Sequence, residues 1–306
     1  MEKYIKKQLT ESYNGELNRL FAEWKAFYPD EADADYFCED GLVIKYKDEN
    51  SGYDINEQWR KSPRKIMFLL KDCPDGWGYD ARRLLVGCAG NEKSLENAAD
   101  TRNVKGGFFK NIAQILYGLS YMTEENKGKE LNDAALNKKK YTDAFNEIPF
   151  AYVECKKMAG GKTCSAGSLK SAISRDNEFL CREIDILKPN IIVCCDNSGS
   201  IFNNVVENYF KGLIPDEDSR WDYEYELEDG AKCGFGCKLY YYKEEGVLLF
   251  NSYHPSARAG WKIYEKVLSP FRQFFERYKT FDVVSGKSPD KDSRNPHFPK
   301  RSLSLL

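Results

Sequence analysis

Val247-Leu248-Leu249-Phe250-Asn251-Ser252-Tyr253-His254-Pro255-Ser256-Ala257-Arg258 opens with four apolar residues and closes on a polar turn. An apolar run of that length bounded by a turn signal reads as a buried strand. A strand that ends in Tyr-His-Pro-Ser places an imidazole at the carboxyl edge of its sheet, where open α/β sheets bind ligands. His254 is one of only two histidines in the chain, so its position carries a hypothesis. Taken alone, the motif favours a turn histidine capping backbone groups.

Working outward, Lys238–Tyr242 and Val247–Phe250 are joined by Lys-Glu-Glu-Gly and read as a hairpin. Ile191 to Cys195 is a further apolar run, preceded by a helical pattern that buries Leu169, Ile173, Leu180, Ile184 and Leu187 and stops at Lys188-Pro189. Strands are expected at 66–70 and 149–154, and a helix at 108–119 with Phe108, Ile112, Ile115, Leu116 and Leu119 on one face. A helix follows Ser198 and runs through Phe210. Trp261, Tyr264, Leu268, Phe271, Phe275 and Tyr278 mark a last one, kinked at Pro270. Strands alternating with helices predict an α/β fold, a three-layer α/β/α sandwich on a mostly parallel central sheet. The expected division is a helical N-terminal extension over 1–60, the α/β domain over 61–282, and a flexible tail rich in Ser, Lys, Pro and Asp over 283–306.

The 306 residues are 42% hydrophobic, 31% charged and 14% aromatic, ordinary for a soluble globular chain. A net charge of −2 and a pI near 6.0 exclude a strongly basic mode of coating DNA, so a nucleic-acid contact has to come from a local patch. The N-terminal Met-Glu-Lys-Tyr-Ile-Lys-Lys has no apolar signal core, and no apolar run approaches the ~18 residues of a membrane span. Ten cysteines, two of them adjacent in Ile-Ile-Val-Cys194-Cys195, read as reduced and buried. The expectation is a cytoplasmic protein with no membrane partner.

Three segments fall at strand ends: Lys71–Asp80, Cys155–Lys162 and the His254 turn. They supply a carboxylate, a glycine-rich basic stretch and an imidazole. That set suits a reaction in which positive charge develops on a sugar and negative charge on its leaving group.

Five blocks in order resemble the uracil-DNA glycosylase superfamily, most closely its iron–sulfur-containing branch. Asp72-Cys73-Pro74 sits where that branch has EAP, and Leu84–Gly90 matches PFVGRAG. Ala151-Tyr152-Val153-Glu154-Cys155 lies over NVVKC, Leu187–Val193 over LxPxVIV, and His254-Pro255-Ser256 over HPS. The resemblance spans roughly residues 63–280. It implies a glycosylase that flips an altered, deaminated base out of DNA and hydrolyses its N-glycosidic bond. His254 would donate to the carbonyl oxygen of the leaving base, and Asp72 would orient water or stabilise the sugar cation. Asp72 also reads as a loop carboxylate.

The chain departs from the pattern where the base is read. The uracil-reading asparagine aligns with Ala151, leaving Asn251 or Asn197 to substitute. The stacking phenylalanine aligns with Leu85, leaving Trp77 or Tyr79, either of which also suits loop packing. For DNA the candidates are Ser256, Arg258, Lys156, Lys162 and Lys262. The row Arg258, Lys262, Lys266 reads as well as a solvated helix face. Of the four cluster thiolates the branch uses, Cys155 and Cys181 occupy the last two places and the first pair is missing, so no cofactor is expected. Cys233-x-x-x-Cys237 has zinc spacing but no second pair. The rival reading is a non-catalytic nucleic-acid or nucleotide-binding module on the same fold. A second is a hydrolase of free nucleosides or other small glycosides.

Overall fold

A computed structural model describes residues 2–28, 36–45, 52–74, 80–84, 107–126, 137–160, 163–196, 198–216, 221–226, 232–257 and 263–278. Helices α1 (Glu2–Thr10) and α2 (Ser12–Phe27) precede β1 (Gly41–Leu42), α3 (Ile55–Lys61), β2 (Ile66–Pro74) and α4 (Ala81–Leu84). Then come α5 (Gly107–Tyr121), α6 (Lys138–Glu147), β3 (Phe150–Gly160), α7 (Ala166–Leu187), β4 (Ile191–Cys195) and α8 (Ser200–Asn204). The last runs on as a π-helical turn, Val205–Tyr209, before β5 (Trp221–Glu226), β6 (Lys232–Tyr242), β7 (Val247–Ser252) and α9 (Glu265–Arg277).

The strands form one mixed sheet in the order β1-β3-β2-β4-β7-β6-β5. Only the central four, β3-β2-β4-β7, are mutually parallel. β1 is antiparallel to β3, and β6 and β5 extend the other side antiparallel. The expected mostly parallel sheet is thus a parallel centre with antiparallel flanks. Four residues, with Gly246 at φ +66°, are enough to reverse the chain between β6 and β7, whereas parallel neighbours need a longer crossover. From β2 the chain steps to β3 on one side and then returns to place β4 on the other. The carboxyl ends of β2 and β4 are therefore the switch point at which such sheets open a crevice.

Helices cover both faces. α5, α6 and α9 pack on one side, α9 against β6 and β7; α7 lies on the other with α2 and α8. α7 shows why these segments are helical. Ser165 caps it by accepting the Ser168 N–H, and Leu169, Ile173, Leu180, Ile184 and Leu187 form a buried stripe. Lys188 ends it in the left-handed region, φ 47°, ahead of Pro189. On the opposite face Gly118 of α5 lets α9 approach, since a β-carbon there would lie 2.3 Å from Leu268 Cδ1. Gly118→Ala is expected to cost ~1–3 kcal/mol by overpacking, read from the shift of a urea-unfolding midpoint.

The N-terminal residues are more than an extension. Leu17, Phe21, Trp24, Phe37, Leu42 and Ile44 belong to the same buried cluster as β2, β3 and β4, and Gly41–Leu42 completes the sheet edge. The periodicity of α2 is visible in sequence, but a two-residue strand has too little pattern to be read. Helix α6 and strand β5 were not expected either. No helix among the described residues is long and apolar enough to cross a membrane. The tail over 283–306 lies outside the described residues.

Candidate active site

Two segments expected as loops are strand. β2 continues to Pro74 and β3 to Gly160, with Asp72 opposite Lys156 and Pro74 opposite Gly160. Lys156 Nζ lies 3.2 Å from Asp72 Oδ2 and donates to the Met158 carbonyl at 2.9 Å. Its side chain is 15% exposed, so the ammonium expected on DNA phosphates is engaged within the protein. Gly160 makes room for this pair. A β-carbon there would sit 2.1 Å from Asp72 Oδ2 and 2.9 Å from Lys156 Nζ. Both atoms end side chains that can swing, so Gly160→Ala is expected to leave stability within about 1 kcal/mol while displacing the Asp72 carboxylate. An unchanged urea-unfolding midpoint together with a shifted carboxyl resonance of Asp72 checks this.

His254 follows β7 by two residues. The backbone N–H of Ser256 donates to His254 Nδ1 at 3.3 Å, and Ser256 Oγ lies 2.7 Å from the same nitrogen. A ring nitrogen that accepts from an amide carries no proton, so the neutral ring holds its proton on Nε2. Burial, reinforced by the Lys71 charge, pushes the imidazole pKa down to about 4. The turn is pinned by Ala257 N–H on the His254 carbonyl, 2.8 Å, and by Asn111 Nδ2 of α5 on the Pro255 carbonyl, 2.7 Å. Ser256, expected at a DNA phosphate, helps set the tautomer.

Strand register places these groups relative to one another. Leu70 lies opposite Glu154, Leu69 opposite Cys194, and Cys195 opposite Ser252. Glu154, Leu70, Cys195 and Ser252 therefore form one row across the parallel centre. Two residues further along β3 and β2 come Lys156 and Asp72, while His254 lies past the end of β7, where Lys71 is the charge that acts on it. The β2 and β7 backbones are two strand spacings apart, about 10 Å, a gap that a nucleoside spans. Phe108, at the first turn of α5, has its ring 5.5 Å from that of His254 and 6.4 Å from that of Tyr152. Tyr152 in turn donates to Glu154 Oε1 at 2.5 Å.

Ala151 lies at the amino end of β3, opposite Met67 and Leu42, fully buried and at the wrong end of the strand to meet a base. Asn251 faces the other side of the sheet. Its Nδ2 is 3.7 Å from where a Gly199 β-carbon would be, and its Oδ1 has no partner among the described residues. Trp77, Tyr79, Leu85, Lys162, Asn197, Arg258 and Lys262 lie outside the described residues. Phe108 and Glu154 are the site residues that pattern reading passed over. Phe108 was assigned to a helix core, and its place at the helix start, over the sheet edge, is the signal that marks it.

Cys155 and Cys181 line one small cavity between the sheet, α7 and α8, walled otherwise by Leu69, Ile173, Leu180 and Ile184. Burial raises both thiols' pKa values, so neither is a ready thiolate. Among the described residues no group of three or more His, Cys, Asp or Glu is arranged to hold a metal ion.

No protein-family model matches the chain, and no curated protein matches it. The chemistry of the site has to be argued from its own residues.

Proposed function

We propose that the chain hydrolyses the N-glycosidic bond of an altered base in DNA, with the base flipped into the carboxyl edge of the parallel centre. The observation that carries the reading is His254, neutral and with its proton on Nε2, two residues past a central strand. The C1′–N bond breaks with its electron pair passing to the base, and water's oxygen bonds to C1′. Water's proton goes to the Asp72 carboxylate, and the departing base takes one from solvent. His254 Nε2–H donates to the base oxygen as charge gathers there, and Asp72 faces the cationic sugar. Phe108 offers a ring on which a base can stack. The order of the five sequence blocks and the four-stranded parallel centre support placing the fold in the uracil-DNA glycosylase superfamily.

One observation favours the rival, a binding module without catalysis. Asp72 is already neutralised by Lys156, and a base must be freed from that pair before it can take a proton. The test is an assay on labelled oligonucleotides carrying uracil, hypoxanthine, xanthine or mismatched thymine, in single and double strands. Alkali-labile scission at the altered base is the expected result. Retained DNA binding with no scission on any substrate would overturn the enzyme reading in favour of recognition alone.

A further inference from the structure

We infer that Glu154, carrying a proton on its carboxyl group, reads the edge of the extruded base and selects one that presents a hydrogen-bond acceptor beside a donor. The inference rests on the glycosidase reading and names the substrate edge that the site takes. Glu154 is 1% exposed, and while Oε1 accepts from Tyr152, Oε2 has no partner among the described residues. Its backbone N–H is engaged by Asp40 Oδ2 at 2.7 Å, so the unpartnered oxygen is not a by-product of a loose chain. Ser252, in the same row, is fully buried and its Oγ is likewise unpartnered. Buried polar atoms without partners are costly; Ser252 is three strands away, but Glu154 Oε2, next to the Tyr152 that Phe108 packs against, marks a place for a ligand's polar edge.

The protonation state follows from the surroundings. Burial pushes the Glu154 pKa up to about 8, and the Asp40 and Asp72 carboxylates push the same way, against the Tyr152 hydrogen bond and the Lys157 charge. Cys38, from the N-terminal segment, Cys155, next in β3, and Cys195, from β4, are further titratable neighbours; burial holds all three thiols' pKa values above the ordinary range. At neutral pH the side chain is an acid, with Oε2–H a donor beside the accepting Oε1. Its complement is a carbonyl next to a ring N–H, the edge that deamination of an amino base creates. Ionised, the carboxylate has two acceptors and repels that carbonyl.

The experiment compares wild type, Glu154→Gln and Glu154→Ala in single-turnover base release between pH 5 and pH 10. It is paired with binding of free uracil and hypoxanthine followed by calorimetry. Wild-type base release and free-base binding are expected to fall about tenfold per pH unit above about 8, as the acid ionises. Glu154→Gln keeps a donor beside an acceptor and should hold both readings level through that range, while Glu154→Ala should lose both. A folding check separates a structural role. The raised pKa makes the acid's contribution to stability full below about pH 4.5 and lost as pH rises to about 8, so the glutamine variant's melting temperature should stop falling across that window. An unchanged alkaline fall in the glutamine variant, or an alanine variant that binds and cleaves like wild type, overturns the inference while leaving the enzyme standing. No scission by wild type, with free-base binding that still depends on Glu154, overturns the enzyme reading and leaves the inference standing.

Discussion

On the glycosidase proposal, His254→Ala is expected to slow base release by about 10²–10³-fold while DNA affinity changes little. In that proposal the imidazole contributes a hydrogen bond whose strength grows only as the base oxygen becomes anionic, so its loss would raise the barrier without weakening the ground-state complex. Ser256 N–H and Oγ hold the ring in one orientation and tautomer, and α5 holds the turn through Asn111. Single-turnover rates and titration of an uncleavable duplex check the two halves separately. Equal losses in rate and affinity would make His254 a binding group. The pH dependence is a second check. With its pKa pushed down to about 4, the ring stays neutral at every pH above about 5, so no acidic fall in rate is assigned to it there. The same shift makes the neutral ring's contribution to stability present above about 6.5 and lost as pH falls toward about 4.

Lys157→Met is expected to destabilise the fold by about 3–5 kcal/mol. Lys157 Nζ donates to both Asp40 oxygens, at 2.6 and 2.7 Å, and lies 2.8 Å from Glu183 Oε2, all three side chains having no exposure. Phe21 and Trp24 of α2 present their rings to the same ammonium, each 5.2 Å from it. Burial works against the lysine's charge, but Asp40 and Glu183 outweigh it and raise its pKa; burial and Asp40 together raise that of Glu183. The cluster thus holds one ammonium between two carboxyl groups, all without exposure. Methionine matches the stem's volume but strands the Asp40 carboxylate. Urea unfolding should show the loss, and the pair Lys157→Met with Asp40→Asn should recover part of it, since neutralising both partners removes the stranded charge. A single variant as stable as wild type would mean that the cluster is not charge-paired.

This cluster also shows where sequence reading stops. The apolar runs at 66–70, 191–195 and 247–250, and the 3.6-residue stripes of α5 and α7, are local patterns that dictate strand and helix whatever they pack on. Alternation of the two kinds carried the α/β class, and the His254 turn carried the edge at which to look. Lys157 reads locally as one more charge in Cys155–Lys162, because nothing nearby in the chain shows that Asp40 and Glu183 will enclose it. The continuation of β2 and β3 through Asp72 and Lys156 was likewise hidden, since charged residues extend a strand only when a register places them opposite one another. By itself the sequence determined the buried strands, the helices between them and the position of one imidazole, all set by hydrophobic periodicity within a few residues. Only the tertiary structure decided that Asp72 is tied to Lys156, that Ala151 sits at the wrong end of its strand, and that Glu154 is an acid beside Tyr152, because register, burial and the charge of distant neighbours are properties of the assembled sheet.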